Sequence, residues 1–196
     1  MPEGRGSASG VSVVVDPQLE PDQGFPGLQT ARLRLRRASG ADFLALSAKL
    51  VAEPSRERGS GRPDKDWRFD PSGVLRTAGV AGNERRFWLV IEDRETLDVV
   101  GFTELLLPAP DGAPWIGWLV IEPRQRNRGL GGEVVAAVEV ALAADGWSEL
   151  RLSVELANTG ARRFWERHGY REIRDGWRSY DGLAPTSLVL SKSLPP

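Results

Sequence analysis

In "ARLRLRRAS", Leu33 and Leu35 alternate with Arg32, Arg34 and Arg36, the two-residue period of a strand with one buried face. Ser39 followed by Asp42 forms a capping box in which Asp replaces the usual Glu. It opens a helix whose apolar residues Phe43, Leu46, Leu50 and Val51 recur at helical spacing. Further on, "FWLVIED" and "LDVVGFTELLL" flank the polar "DRET" and predict an antiparallel hairpin, followed after "PAPDGAP" by a third strand, "WIGWLVIEP". The period then becomes helical in "EVVAAVEVALAADG", where Val134, Val135, Val138 and Leu142 share a face and Gly146 stands where a C-cap belongs. "SELRLSVE" alternates again, with Leu150, Leu152 and Val154 on one face. "NTGARRFWERHGY" is a short helix capped by Asn158, ended by Gly169 and striped by Ala161, Phe164, Trp165 and His168. "TSLVLSK" supplies the last strand. The order is strand, helix, irregular segment, three strands, helix, strand, helix, strand: a mixed α/β chain with one central sheet.

Two stretches lack a period. Residues 1–30 are rich in Gly, Pro and Ser and are expected to be a flexible arm, leaving 31–196 as a single domain. Residues 53–86 are dominated by Gly, Pro and charge, with Val74 and Leu75 in a short helix. A formal net charge of −1 argues against a dedicated nucleic-acid binder, which needs a large basic face. No apolar run approaches the roughly 18 residues of a membrane span, and "VSVVV" is too short for a signal-peptide core. The expected location is therefore cytoplasmic, with no membrane partner. The chain has no cysteine and a single histidine, His168, which removes thiolate chemistry and leaves no expected metal site. Carboxylates, hydroxyls, backbone and water remain.

"RQRNRGLGG", residues 124–132, holds three arginines and three glycines and no acid. It joins a strand to a helix N-terminus, where unpaired N–H groups and the helix dipole favour an anion. Gly129, Gly131 and Gly132 let backbone approach a bulky phosphate, and Arg124, Arg126 and Arg128 add charge. A pyrophosphate-bearing ligand fits; an ordinary basic loop capping a helix is the alternative. A P-loop would need Gly-Lys-Ser/Thr, but Glu133 and Val134 follow Gly132, and "GLGGEV" lacks the last glycine of the dinucleotide fingerprint.

"VIEPRQRNRGLGGEVV" resembles motif A of the GNAT superfamily, the acetyl-CoA-dependent N-acetyltransferases: Arg126, Gly129 and Gly131 stand in its pattern, with Pro123 upstream. "NTGARRFWERHGY" is similar to the family's second segment, and the likeness spans about residues 31–193. It implies a single α/β (α+β) domain with a mixed, mostly antiparallel sheet flanked by helices. It also implies direct acetyl transfer from acetyl-CoA to a primary amine, without a cysteine nucleophile. By the resemblance, Leu119, Val120 and Ile121 pair with the pantetheine arm and polarise the thioester carbonyl. Arg126, Asn127, Arg128, Gly129, Leu130, Gly131 and Gly132 wrap the pyrophosphate, and Asn158 bonds near the pantetheine.

Two positions depart from the branch of the family that acetylates ribosomal-protein N-termini. Its strand Glu and helix Tyr, base and acid, are matched here by Ser153 and Trp165, and an indole cannot protonate a thiolate as a phenol can. The candidate bases are Glu104 and Glu155; a surface carboxylate is the alternative for each. His168 reads as a helix C-terminal residue complementing the dipole, and Phe164 and Trp165 read as core. Glu53, Glu57, Asp64, Asp66 and Asp70, with Trp67 and Phe69, fall where the family builds its acceptor side. The acceptor is expected to be a small-molecule or peptide amine, and a homodimer stays open. A GNAT-fold coenzyme A sensor without catalysis is the alternative function.

Overall fold

The computed structural model describes residues 14–16, 27–39, 41–42, 45, 85–109, 111–173 and 187–196. Among them nine strands form one sheet: β1 (Val14–Asp16), β2 (Gly27–Gln29), β3 (Leu33–Arg37), β4 (Arg85–Asp93), β5 (Val99–Leu107), β6 (Trp115–Ile121), β7 (Glu149–Glu155), β8 (Arg171–Glu172) and β9 (Ser187–Ser193). The strand order is β1-β2-β3-β4-β5-β6-β7-β9-β8, and every neighbour is antiparallel except β6 with β7. A short 3₁₀ turn (Pro123–Gln125) leads from β6 into helix α1 (Leu130–Ala144), and helix α2 (Thr159–Arg167) follows β7. This is the mixed, mostly antiparallel sheet with helices that the sequence predicts.

The alternation of "ARLRLRR" holds: Leu33 and Leu35 are fully buried, while Arg34 and Arg36 are half-buried on the other face. Leu33 and Leu35 join Leu89, Ile91, Leu150, Leu152, Leu188 and Leu190 beneath Val134, Val138 and Leu142 of α1, forming the main core. A smaller group, Trp88, Val90 and Phe102, lies on the opposite face of the sheet. The Ser39–Asp42 box closes in both directions: the Ser39 N–H donates to Asp42 Oδ2 at 2.7 Å, and the Asp42 N–H donates to Ser39 Oγ at 3.3 Å. Arg36 locks it through a two-pronged pair with Asp42 at 2.8 and 2.9 Å, and this guanidinium holds the Asp42 carboxyl well below the usual range. The helix predicted after this box, and the irregular segment that follows it, lie largely outside the described residues.

The loose arm expected over residues 1–30 does not hold at its two described stretches. Val14–Asp16 pairs with Gly27–Gln29, which pairs with β3; Leu28 is fully buried and Thr30 nearly so. These strands are three residues each, too short for a period to emerge from sequence, and their stability comes from adding to an existing sheet edge.

Candidate active site

The β6–β7 pair is where the sheet comes apart. The two strands share the pairs Trp115–Arg151 and Ile116–Leu152, and beyond Ile116 the described residues give β6 only β5 as a partner. The cause is local. The register against β5 jumps from Leu105–Ile116 to Glu104–Trp118, so Gly117 is an extra residue, a β-bulge that bends β6 away from β7. Thr103 secures the bend, its buried hydroxyl donating to the Trp118 carbonyl at 2.8 Å. Leu119, Val120 and Ile121 therefore line one wall of a wedge with a backbone edge facing it, and all three are half-buried.

Cross-strand pairing puts Trp88, Glu104 and Trp118 in one row on the face opposite α1. Glu104 is buried, and Arg86 Nη1 donates to its Oε1 at 2.9 Å. Its other oxygen, Oε2, occupies the space a side chain at position 117 would need: a Cβ on Gly117 would stand 2.2 Å from it. The bulge glycine thus brings a buried carboxylate to the edge of the wedge. Burial pushes the Glu104 carboxyl up from its ordinary range, and the Arg86 charge and hydrogen bond only partly counter this. Glu155 lies at the end of β7 on the other side of the wedge, paired with Ser187 and exposed.

At the open end of β6 the chain turns through Pro123–Gln125 and enters α1 at Gly129. Asn127 has φ +60° and Gly129 φ +80°, the left-handed conformation that suits Gly. As N-cap, Gly129 offers no capping side chain, so the first amides of α1 are turned outward beside the end of β6. Asn127, Arg128 and Gly129 are exposed and Leu130 is buried. Arg126 folds back, its Nε donating to the Ile121 carbonyl at 3.0 Å, and Arg128 Nη1 bonds Gln125 Oε1.

Gly131 and Gly132 face α2. A Cβ on Gly132 would lie 2.5 Å from His168 Nε2, and one on Gly131 would touch Phe164 at 3.3 Å. Close helix packing therefore explains these two glycines more directly than phosphate approach does. His168 is the C-cap of α2; its ring sits on Phe164, and its Nδ1 is 2.8 Å from the Phe164 carbonyl. Trp165 is core, edge-on to Phe164 and Tyr170. Tyr170 is fully buried, and burial, with the charge of Glu139 beside it, pushes its phenol far up, so it is no proton donor at neutral pH. Asn158 caps α2, its Oδ1 accepting from the Ala161 N–H at 3.0 Å. Ser153 pairs with Val189 on β9. The acidic and aromatic cluster from Glu53 to Asp70 lies outside the described residues.

Sequence reasoning missed Thr30 and Arg32, which reach across to the first turn of α1, and the bulge at Gly117. The signal for the bulge was present: a lone glycine inside the strand-like "WIGWLVI".

A model of the acetyltransferase (GNAT) family matches residues 49–170, more than half of the chain. The chain belongs to the GNAT acetyltransferases. Solved structures agree. An acetyltransferase from Thermus thermophilus is 25% identical with TM-score 0.63, over 83% of this chain and 97% of that one. A probable acetyltransferase (GNAT family) of Chromobacterium violaceum is 14% identical with TM-score 0.69, over 98% and 95%. The ribosomal-protein-S18-alanine N-acetyltransferase of Escherichia coli is 14% identical with TM-score 0.56, over 84% and 95%. No curated protein matches the chain. Membership makes this GNAT chain an enzyme that moves an acyl group from an acyl-CoA to an amine. Among the described residues no helix is long and apolar enough to cross a membrane.

Proposed function

We propose that the chain is an N-acetyltransferase that uses acetyl-CoA and a primary amine, and that transfer is direct within one ternary complex. The observation that carries this reading is the wedge itself: a strand freed from its neighbour by a bulge, running straight into a helix N-terminus with an uncapped glycine. The backbone of Leu119, Val120 and Ile121 holds the pantetheine arm as a strand would, and its N–H groups stabilise the developing oxyanion. The exposed amides from Asn127 to Gly132 hold the diphosphate, with Arg126 bracing the loop against β6 and Asn158 at the far wall.

Glu104 is the base we favour. The amine nitrogen attacks the thioester carbonyl carbon and loses its proton to the Glu104 carboxylate; the C–N bond forms, the C–S bond breaks, and the thiolate takes a proton from solvent. Neither Trp165 nor the buried Tyr170 is suited to donate it. Much of the acceleration comes from alignment of two bound reactants. Glu155, exposed on the opposite wall, is the second carboxylate assigned to the site and the alternative base. The acceptor is a small-molecule or peptide amine.

Calorimetric titration with acetyl-CoA, CoA and NADH, run beside Gly129→Glu, tests the reading. Saturable binding of acetyl-CoA but not NADH, lost in the variant, supports it; a panel of amines followed by thiol release then finds the acceptor. Binding without turnover on any amine would favour a sensor, and no binding of either coenzyme A species would overturn both.

A further inference from the structure

Thr30 and Arg32 precede β3, outside residues 49–170, yet both reach the first turn of α1. Arg32 Nε and Nη2 donate to Glu133 Oε2 at 2.7 and 2.6 Å, and the Arg32 backbone N–H donates to Glu133 Oε1 at 3.0 Å. The Thr30 hydroxyl donates to that same Oε1, and Arg32 Nη1 donates to the Arg128 carbonyl at 3.0 Å. Both carboxylate oxygens are engaged. Burial alone would raise the Glu133 carboxyl, but the bonds from Thr30 and Arg32 outweigh it and hold the group ionised.

Glu133 is the acidic residue in the first turn of α1, one position past the glycines that would hold a diphosphate. An uncompensated carboxylate there would repel the ligand. Arg32 is placed to prevent this, its guanidinium spanning Glu133 and the carbonyl beside Gly129. We propose that Arg32 is a positioning residue for acyl-CoA, masking the Glu133 charge and steadying the diphosphate loop from a segment outside the family match. The inference rests on the acyl-CoA reading above.

Arg32 is 49% exposed at its side chain, so the variants are expected to fold. In calorimetry, Arg32→Gln should weaken acetyl-CoA binding roughly tenfold, the scale of a charge at a helix terminus. Adding Glu133→Gln should bring affinity back to within about threefold of wild type, because the orphaned charge is gone. In the ligand-free chain, Arg32→Gln should also speed amide exchange across residues 126–132. Wild-type affinity in Arg32→Gln, or a double variant as weak as the single one, would overturn the inference alone. A wild-type chain that binds no coenzyme A species would overturn the reading beneath it as well.

Discussion

Strands β4 and β5 run nine residues each and pair from end to end, whereas β6 and β7 part after two pairs. The first pair is closed: Phe87, Leu89, Ile91, Leu105 and Leu107 fill the core and the backbone groups are spent on one another. The second is open, and its backbone edge is available to a ligand that can pair as a strand does. Both β4–β5 and β5–β6 carry an irregularity, but only the one at Gly117 faces a diverging neighbour. The lesson is that a sheet acquires a binding site by failing to pair at one place, while the rest of it holds that failure rigid.

The comparison breaks most sharply at Glu104. Glu104→Gln should lower kcat/KM by about 100-fold or more, the scale of a lost general base. Because its pKa is raised, wild-type activity should climb with pH along a limb above the usual glutamate value of about 4.3, and that limb should vanish in the variant. An unchanged pH profile would remove Glu104 from the chemistry and turn attention to Glu155.

On the paired flank of β6, Gly101→Val should destabilise the fold by roughly 3 kcal/mol, since a Cβ there would lie 2.2 Å from the Val120 carbonyl oxygen. Urea unfolding would report this as a lower midpoint at constant slope; a midpoint equal to wild type would mean that β5 and β6 are not held so closely.

A smaller effect separates packing from ligand contact at the glycines of α1. Gly132→Ala should destabilise the chain, because its Cβ meets His168, whose ring is tied to the Phe164 carbonyl. On a His168→Ala background the same change should stabilise by up to about 1 kcal/mol, the helix-propensity gain of Ala over Gly. The same sign in both backgrounds would show that helix packing is not what Gly132 serves.

The smallest change is expected far from the wedge. Asp42→Asn should cost about 1 kcal/mol at neutral pH and leave KM for acetyl-CoA unmoved. The Asp42 carboxyl is depressed in the folded chain, so its contribution is complete above the unfolded value of about 3.9 and is lost as pH falls below it. Wild type and variant should therefore converge in stability in acid, and a gap that persists there would point to shape rather than charge.

Most of the fold was legible because its strands alternate and its helices stripe over enough residues for the period to emerge. Leu33 and Leu35, Leu150 to Val154, and the Asn158 and Ser39–Asp42 caps were each readable from a short window. β1, β2 and the two-residue β8 were not, since pairing with an existing edge, not their own pattern, makes them strands. The glycine loop was legible as an anion site, but not the division of labour within it. Gly129 is set by its own φ, whereas Gly131 and Gly132 answer to Phe164 and His168, distant in sequence. Arg32 was readable only as the polar side of a strand; its pairing with Glu133 spans 101 residues and leaves no local trace.

The central claim is that the unpaired edge of β6 is completed by the pantetheine arm of an acyl-CoA. Amide hydrogen exchange with and without saturating acetyl-CoA tests it most directly. The account predicts new protection at Leu119–Ile121 and at 127–132, with β4 and β5 unchanged. Binding that leaves the β6 amides exchanging as before would contradict it.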